Sequence, residues 1–284
     1  GPLKKVLDPI AEKLTTPLAP IALALVGILG IGGGLSLALA PPAKERVVTT
    51  GIAPGLEDKP NIILVMVDTL RADHLSCYGG EVNTPNLCRL AQGGTIYQGF
   101  SHASWTKPAT ASLITSTLPS THNAMSKPSS LSGDLVLIPE AMQSAGYTTG
   151  GIVSNVNLAE SFGFAQGYDD YYYLAPDYLL GAQESGSKVI AYQLARTLVL
   201  GMLGGDDIRF NDFYQDSEVV NDVAFNWLDE HKDERFFLFL HYMDPHDPYL
   251  VHPYNGVGVS RASNQEPEAE EAEMLHELYR GEIE

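Results

Sequence analysis

The amino-acid sequence predicts an α/β domain with a doubly wound, mostly parallel sheet and helices on both faces. Two wholly apolar runs carry that expectation, Ile62–Val67 (IILVMV) and Phe236–Leu240 (FFLFL). Both are short and lack the alternation of a half-exposed strand, the pattern of a parallel strand buried on both faces. The third observation is that such runs alternate with helical segments, which right-handed crossovers wind onto one sheet.

The elements are taken in chain order. Ile21–Ala40 contains no charged residue. About 20 apolar residues in a helix cross a bilayer core of roughly 30 Å. Lys4, Lys5 and Lys13 precede this stretch, which favours an N-in, C-out orientation. We therefore expect a cytoplasmic juxtamembrane segment over residues 1–17 and a transmembrane helix or signal anchor over 18–40. That helix is a single span or the last of several, and it places the catalytic domain outside the cytoplasm, in the periplasm or the extracellular space. A cleaved signal peptide and a buried core helix are the rival readings. Residues 41–60, with Pro41-Pro42 and Pro54-Gly55, form a linker. The domain itself runs over 61–284.

Within the domain, Thr84-Pro85 starts a helix that Gly93-Gly94 stops. Pro108–Thr115 and Leu135–Ala145 are further helices, and Tyr147–Val153 is a strand. Residues 162–173 read as a loop, Ser217–His231 as a helix, and Glu270–Glu284 as a helix-like run. The apolar, Gly-rich stretch Leu179–Phe210 reads as an insertion. The chain opens on Gly1-Pro2 without an initiator Met, so we read it as a fragment at both ends.

Composition narrows the function. Hydrophobic residues make up 44% and charged residues 18%, which is a globular balance. A net charge of -18 repels nucleic acid and argues against a polyanion-binding role. Part of that charge is local to the Glu-rich stretch 266–284, which reads as a solvated helix face. Cys77 and Cys88 lack metal-ligand spacing, and we expect them unpaired, although export would permit a disulfide.

Ligands of open α/β sheets bind beyond the carboxyl ends of the strands. Asp68 directly follows IILVMV. Alone it is equally a helix cap or a hard oxygen ligand for a divalent cation. Thr106 lies just before Lys107-Pro108 at a helix start. A hydroxyl there caps the helix, or it sits in the positive field of the helix end and attacks an anionic ester. His241 and His246 flank the loop after FFLFL. Such histidines hold the fold, contact an ester oxygen or protonate a leaving group.

In order along the chain, these segments resemble the sulfatase family. Pro60–Gly79 (PNIILVMVDTLRADHLSCYG) is similar to the family's opening, and Thr84-Pro85-Asn86-Leu87 comes after it as it does there. Ser112–Ser116 with Leu118–His122 resembles the segment after the family's nucleophile. Gly146–Thr149, Gly163-Phe164 to Gly167-Tyr168, Pro245–Tyr249 and Leu278–Ile283 also fit. The resemblance implies Asp68 as a metal ligand and Thr106 as nucleophile and metal contact. It implies His246 as a substrate contact, with His241 and His122 at family-like positions. The implied cofactor is a divalent cation (Ca, Mg, Mn or Zn), and the implied partner is an anionic sulfate or phosphate ester.

Departures from the family pattern matter as much. Formylglycine sulfatases carry Cys/Ser-x-Pro-x-Arg; here the stretch is Thr106-Lys107-Pro108-Ala109-Thr110, so no formylglycine is expected. The family's second Asp is Thr69. Its Gly-Lys-Trp-His stretch is replaced by Val153-Ser154-Asn155-Val156, and Lys107 is the candidate to compensate in substrate binding. No Asp-His-Gly or Asp-Asn-Gly occurs in the chain, so we expect an incomplete metal site and no turnover from these residues alone. The resulting expectation is a membrane-anchored, metal-dependent ester hydrolase with a Thr nucleophile. A phosphoglycerol- or phosphoethanolamine-type transferase of the cell envelope is the second reading, and a catalytically silent relative the third.

Overall fold

The computed structural model describes residues 51–176, 214–253, 258–260 and 264–284. The expected span over 18–40 and the insertion Leu179–Phe210 lie outside the described residues. Among the described residues no helix is long and apolar enough to cross a membrane.

The elements are β1 (Ile62–Val67), α1 (Pro85–Gln92), α2 (Thr106–Thr115), α3 (Pro119–His122), α4 (Ile138–Ser144), β2 (Thr148–Val153), β3 (Asp170–Tyr173), α5 (Ser217–Glu230), β4 (Phe236–Tyr242), β5 (Tyr249–Leu250), β6 (Gly258–Val259) and α6 (Ala269–Ile283). Four strands form one parallel sheet in the order β1-β4-β2-β3. A short antiparallel pair, β5 and β6, stands apart.

Strand β4, wholly apolar from Phe236 to Leu240, alternates between two cores. Phe237 and Phe239 face Ala111 and Ile114 of α2, together with Leu137 and Leu158. Phe236, Leu238 and Leu240 face Val220, Ala224 and Trp227 of α5. Helices thus cover both faces, as the alternation of elements predicts. Gly150 in β2 permits this contact, because a Cβ there would lie 2.7 Å from the Trp227 ring.

Three expectations need correction. First, β1 is not central among the described strands: Ile63 and Val65 are 49% and 53% exposed. Its Ile62, Leu64 and Met66 pack on the α2 side, while α5 contacts β2 and β4 and leaves the other face of β1 open. Second, the stretch 162–173 is not all loop, because Asp170–Tyr173 pairs with β2 as a four-residue strand. Third, Cys77 and Cys88 are disulfide-bonded. The turn Ser76–Tyr78 and the start of α1 are laced by Ser76 and Thr84, whose hydroxyls lie 3.1 Å apart, and this brings the two Cα atoms to 5.2 Å.

Candidate active site

The carboxyl ends of three strands converge. The parallel register sets His241 of β4 between Met66 of β1 and Val153 of β2. Asp68 is the residue after β1, and Asn155 lies two residues after β2. The β1–β4 ladder extends one residue further, since the Asp68 N–H donates to the Tyr242 carbonyl at 2.9 Å. Thr69 then adopts φ 57°, a left-handed conformation that is strained for a β-branched residue. Two bonds hold it there. Its hydroxyl donates to the Pro245 carbonyl at 3.0 Å, and its own carbonyl accepts from the Tyr279 hydroxyl at 2.8 Å.

Helix α2 starts two residues earlier than its Pro108 suggests, with Thr106 as the first helical residue and Trp105 as an N-cap without a side-chain bond. The Thr106 hydroxyl therefore does not cap the helix. It is buried and donates to Asp68 Oδ2 at 2.7 Å. The helix is seated by Ala111 and Ile114 in the core and by Thr110, whose hydroxyl reaches Met66 Sδ at 3.6 Å.

Asn155 completes this contact. Its Oδ1 accepts from the Asn157 N–H and side-chain amide at 2.9 and 3.0 Å, which fixes the amide orientation. Nδ2 then points at Asp68 Oδ2 and Thr106 Oγ1, 3.3 Å from each. His241 is 0% exposed, and its Nε2 stands 3.5 Å from Asp68 Oδ2. Neither ring nitrogen of His241 has a hydrogen-bond partner among the described residues. Burial raises the Asp68 carboxyl, but the His241 imidazole and then the Thr106 hydroxyl outweigh it and hold the group below the usual aspartate range.

Of the other residues singled out in the sequence, His246 stays with the site and two do not. His246 is half-buried, and its Nδ1 bonds to the Asp247 carbonyl at 2.6 Å, which orients the ring. It also contributes to the field that lowers Asp68. Lys107 is turned away: its Nζ donates to the carbonyls of Lys127 and Ser129 at 2.6 and 3.0 Å and sits 3.4 Å over the Phe162 ring. In this structure Lys107, the sequence candidate for substrate binding, ties α2 to the loop 123–131. His122 is likewise bonded within the fold. Its Nδ1 accepts from the Ala124 N–H at 3.1 Å, which leaves Nε2 to donate to Ser112 at 3.0 Å. Burial lowers the basicity of both Lys107 and His122.

Asn155 is not among the candidate site residues read from the sequence, although the structure sets its amide 3.3 Å from Asp68 and Thr106. The rule that points to Asp68, residues beyond the strand end, points equally to Asn155 once Tyr147–Val153 is read as a strand. Asp68 and Thr106 offer a carboxylate and a hydroxyl oxygen on the same side of the site, donors suited to a hard divalent cation. Among the described residues no group of three or more His, Cys, Asp or Glu is placed to hold a metal ion. The pair therefore fits one side of such a cation.

The carboxyl end of the parallel sheet thus gathers a hydroxyl, a carboxylate, an amide and an imidazole without a hydrogen-bond partner among the described residues. The chain belongs to the sulfatase family, whose model matches residues 60–279. It is 25% identical over 208 residues to an N-acetylglucosamine-6-O-sulfatase of Bacteroides thetaiotaomicron, covering 69% of this chain and 32% of that protein. It is 33% identical over 112 residues to an N-acetylgalactosamine-6-sulfatase of Rattus norvegicus, covering 34% of this chain and 21% of that protein. The chain thus spans about a third or less of the length of these two relatives. Its fold is similar to the phosphonate monoester hydrolase of Agrobacterium radiobacter, with a TM-score of 0.54 at 18% identity, covering 79% of this chain and 56% of that one. A protein solved in complex with its substrate D-glucosamine-2-N,6-O-disulfate also shares the fold, with a TM-score of 0.50 at 23% identity over 68% of this chain and 36% of that one.

Proposed function

We propose that this chain carries the nucleophile half of a metal-dependent sulfate or phosphate ester hydrolase in which Thr106 attacks the ester. The observation behind this reading is the 2.7 Å hydrogen bond from the Thr106 hydroxyl to Asp68, at a helix start and beyond the ends of three parallel strands. A divalent cation held in part by Asp68 and Thr106 would supply positive charge that lowers the hydroxyl pKa and draws electrons from the ester. Thr106 Oγ1 bonds to sulfur or phosphorus, and its proton is already directed at Asp68 Oδ2. The bond from that centre to the substrate oxygen breaks, and the alcohol leaves with a proton supplied by His246. Water then releases the threonyl ester.

Asn155 Nδ2 and the helix start face the oxygens that gain charge in this step. His241 supplies the further polar group that a bound ester oxygen lacks in water-free surroundings. Thr106 in place of an oxidisable Cys or Ser favours phosphoryl transfer, while the curated relatives are sulfatases; an assay pairing aryl sulfate with aryl phosphate mono- and diesters separates the two. In the complete gene product, Thr106→Ala is expected to abolish turnover of whichever ester is cleaved, with the circular dichroism spectrum unchanged. Activity within tenfold of wild type would remove Thr106 as nucleophile.

Placement outside the cytoplasm, on a membrane through residues 18–40, is part of the same proposal. It is supported by the charge-free stretch Ile21–Ala40 and by the Cys77–Cys88 disulfide, which persists in oxidising compartments. The same features favour a second reading, transfer of a phospho-alcohol headgroup to an envelope glycan or lipid. Release of free alcohol without an added acceptor, and no faster with one, would speak against it.

A further inference from the structure

Beside the turn that carries Asp68 lies a concave pocket of about 410 Å³, between residues 69–74 and α6. On a chain of net charge -18, its wall gathers three basic side chains, Arg71, His74 and His276. The His74 and His276 ring centroids are 6.5 Å apart, and His74 stands edge-on to Tyr279 at 4.9 Å. Tyr279 braces the wall: its hydroxyl accepts from the Arg71 N–H at 2.9 Å and donates to the Thr69 carbonyl at 2.8 Å.

These basic groups have little to hold them among protein atoms. No ring nitrogen of His74 or His276 is hydrogen-bonded among the described residues, and neither side chain is in an ion pair there. The Arg71 fork meets Asp73 at 3.0 and 2.6 Å, but both side chains are more than half exposed, so water or a better acceptor displaces this pair readily. The nearby acids Glu273, Glu277 and Glu81 pair instead with Arg280. Burial, then the Arg71 guanidinium, lowers the basicity of His74, with Arg280 and His276 acting the same way and Asp73 opposing. A guanidinium whose acid partner Asp73 is exposed and displaceable, set in a concavity beside two imidazoles, forms a receptor for a planar or tetrahedral oxyanion, which all three groups can bond.

We propose that this pocket is a second oxyanion site, taking a sulfate, phosphate or carboxylate substituent of the same molecule whose ester faces Thr106. The shared position comes from Thr69, which lines the pocket and is the chain neighbour of Asp68. Calling that molecule the substrate rests on the ester chemistry proposed above; oxyanion binding does not.

The test titrates the complete gene product with sodium sulfate and with sodium phosphate while its imidazole proton NMR signals are followed. His74→Gln and His276→Gln variants assign the signals, and sodium chloride at matched ionic strength is the control. Saturable shifts of both imidazoles are expected with either oxyanion, weakened at least tenfold in Arg71→Gln and retained in Thr106→Ala. Shifts no greater than with chloride, or wild-type affinity in Arg71→Gln, would overturn the site. A second arm compares esters bearing one or two anionic groups, and Arg71→Gln should lower the ratio of kcat/KM for the doubly over the singly anionic ester at least tenfold. An unchanged ratio beside intact oxyanion binding would overturn the assignment to substrate. Failure of the ester chemistry itself shows separately, as turnover that survives Thr106→Ala while the imidazole titration stands.

Discussion

The sheet carries a buried histidine and carboxylate at each end, and the two ends treat them oppositely. At the amino end, His231 lies 3.0 Å from Glu234 and 3.5 Å from Asp170. Asp170 also accepts from the Trp227 indole at 2.9 Å, Glu234 accepts from the Thr148 hydroxyl at 2.5 Å, and the Trp227 and His231 rings are 4.3 Å apart. At the carboxyl end, His241 is just as buried, yet neither of its nitrogens is hydrogen-bonded among the described residues, and its nearest acid, Asp68, is engaged by Thr106 and Asn155. Proteins saturate buried polar groups where those groups only hold the fold, because an orphan costs about 1–3 kcal/mol. Under the proposed chemistry, the orphan beside the strained Thr69 belongs to the ligand-taking end of the sheet.

Exchanging the two ends by mutation should expose that difference. The largest effect is expected from Asp68→Asn, which should lower kcat/KM by about 10³ or more without loss of thermal stability; a loss under tenfold would detach Asp68 from the chemistry. His241→Gln should lower kcat/KM by about 10² while shifting Tm by no more than a few degrees. His231→Gln should do the reverse, costing about 2–3 kcal/mol in denaturant unfolding with kcat of the folded enzyme retained. Equal stability losses from the two histidine variants would erase the contrast. Asn155→Ala should cost about tenfold in kcat/KM, since its amide contacts are long at 3.3 Å.

The smallest effect concerns the wall behind the site. Burial, with Glu282 and Asp216 nearby, pushes Asp244 up to about 6, against its own backbone bond and His252. Burial also raises Glu282, which accepts from the Leu250 N–H and pairs with His252 at 3.2 Å. A carboxyl raised in the folded state stabilises when protonated, so this contribution is present below about pH 4 and is lost as pH rises through about 6. Asp244→Asn should therefore gain about 1–2 kcal/mol at pH 8, less than the full shift implies because Asp244 is partly exposed, and flatten the stability profile between about pH 4 and 6. A variant that is less stable at pH 8 would show that the ionised carboxylate is needed there.

The parallel sheet was legible because β1 and the first five residues of β4 are unbroken apolar runs and the helices between them carry clear start and stop residues. The place of β1 at the edge was not, since an apolar run announces burial without saying which neighbour provides it. Asp170–Tyr173 hid as a strand because four residues beside two glycines carry too short a pattern. Asp68, Thr106 and His241 could be found from strand ends and motif order; the strand-end rule also reaches Asn155, but only the fold sets its amide beside Thr106. Lys107 and Thr106 are adjacent in sequence, but successive helical residues point about 100° apart, so one enters the site and the other the loop at Lys127 and Ser129. No sequence pattern distinguishes those directions without the helix start, which lies at Thr106 and not at Pro108.

The most direct test of Thr106 as nucleophile is to quench the complete gene product during turnover of an aryl sulfate and of an aryl phosphate and to map the modified residue by mass spectrometry. A sulfuryl or phosphoryl group on Thr106, absent in Thr106→Ala, is the predicted result. Turnover with no adduct at Thr106 in wild type, together with retained turnover in Thr106→Ala, would contradict the account.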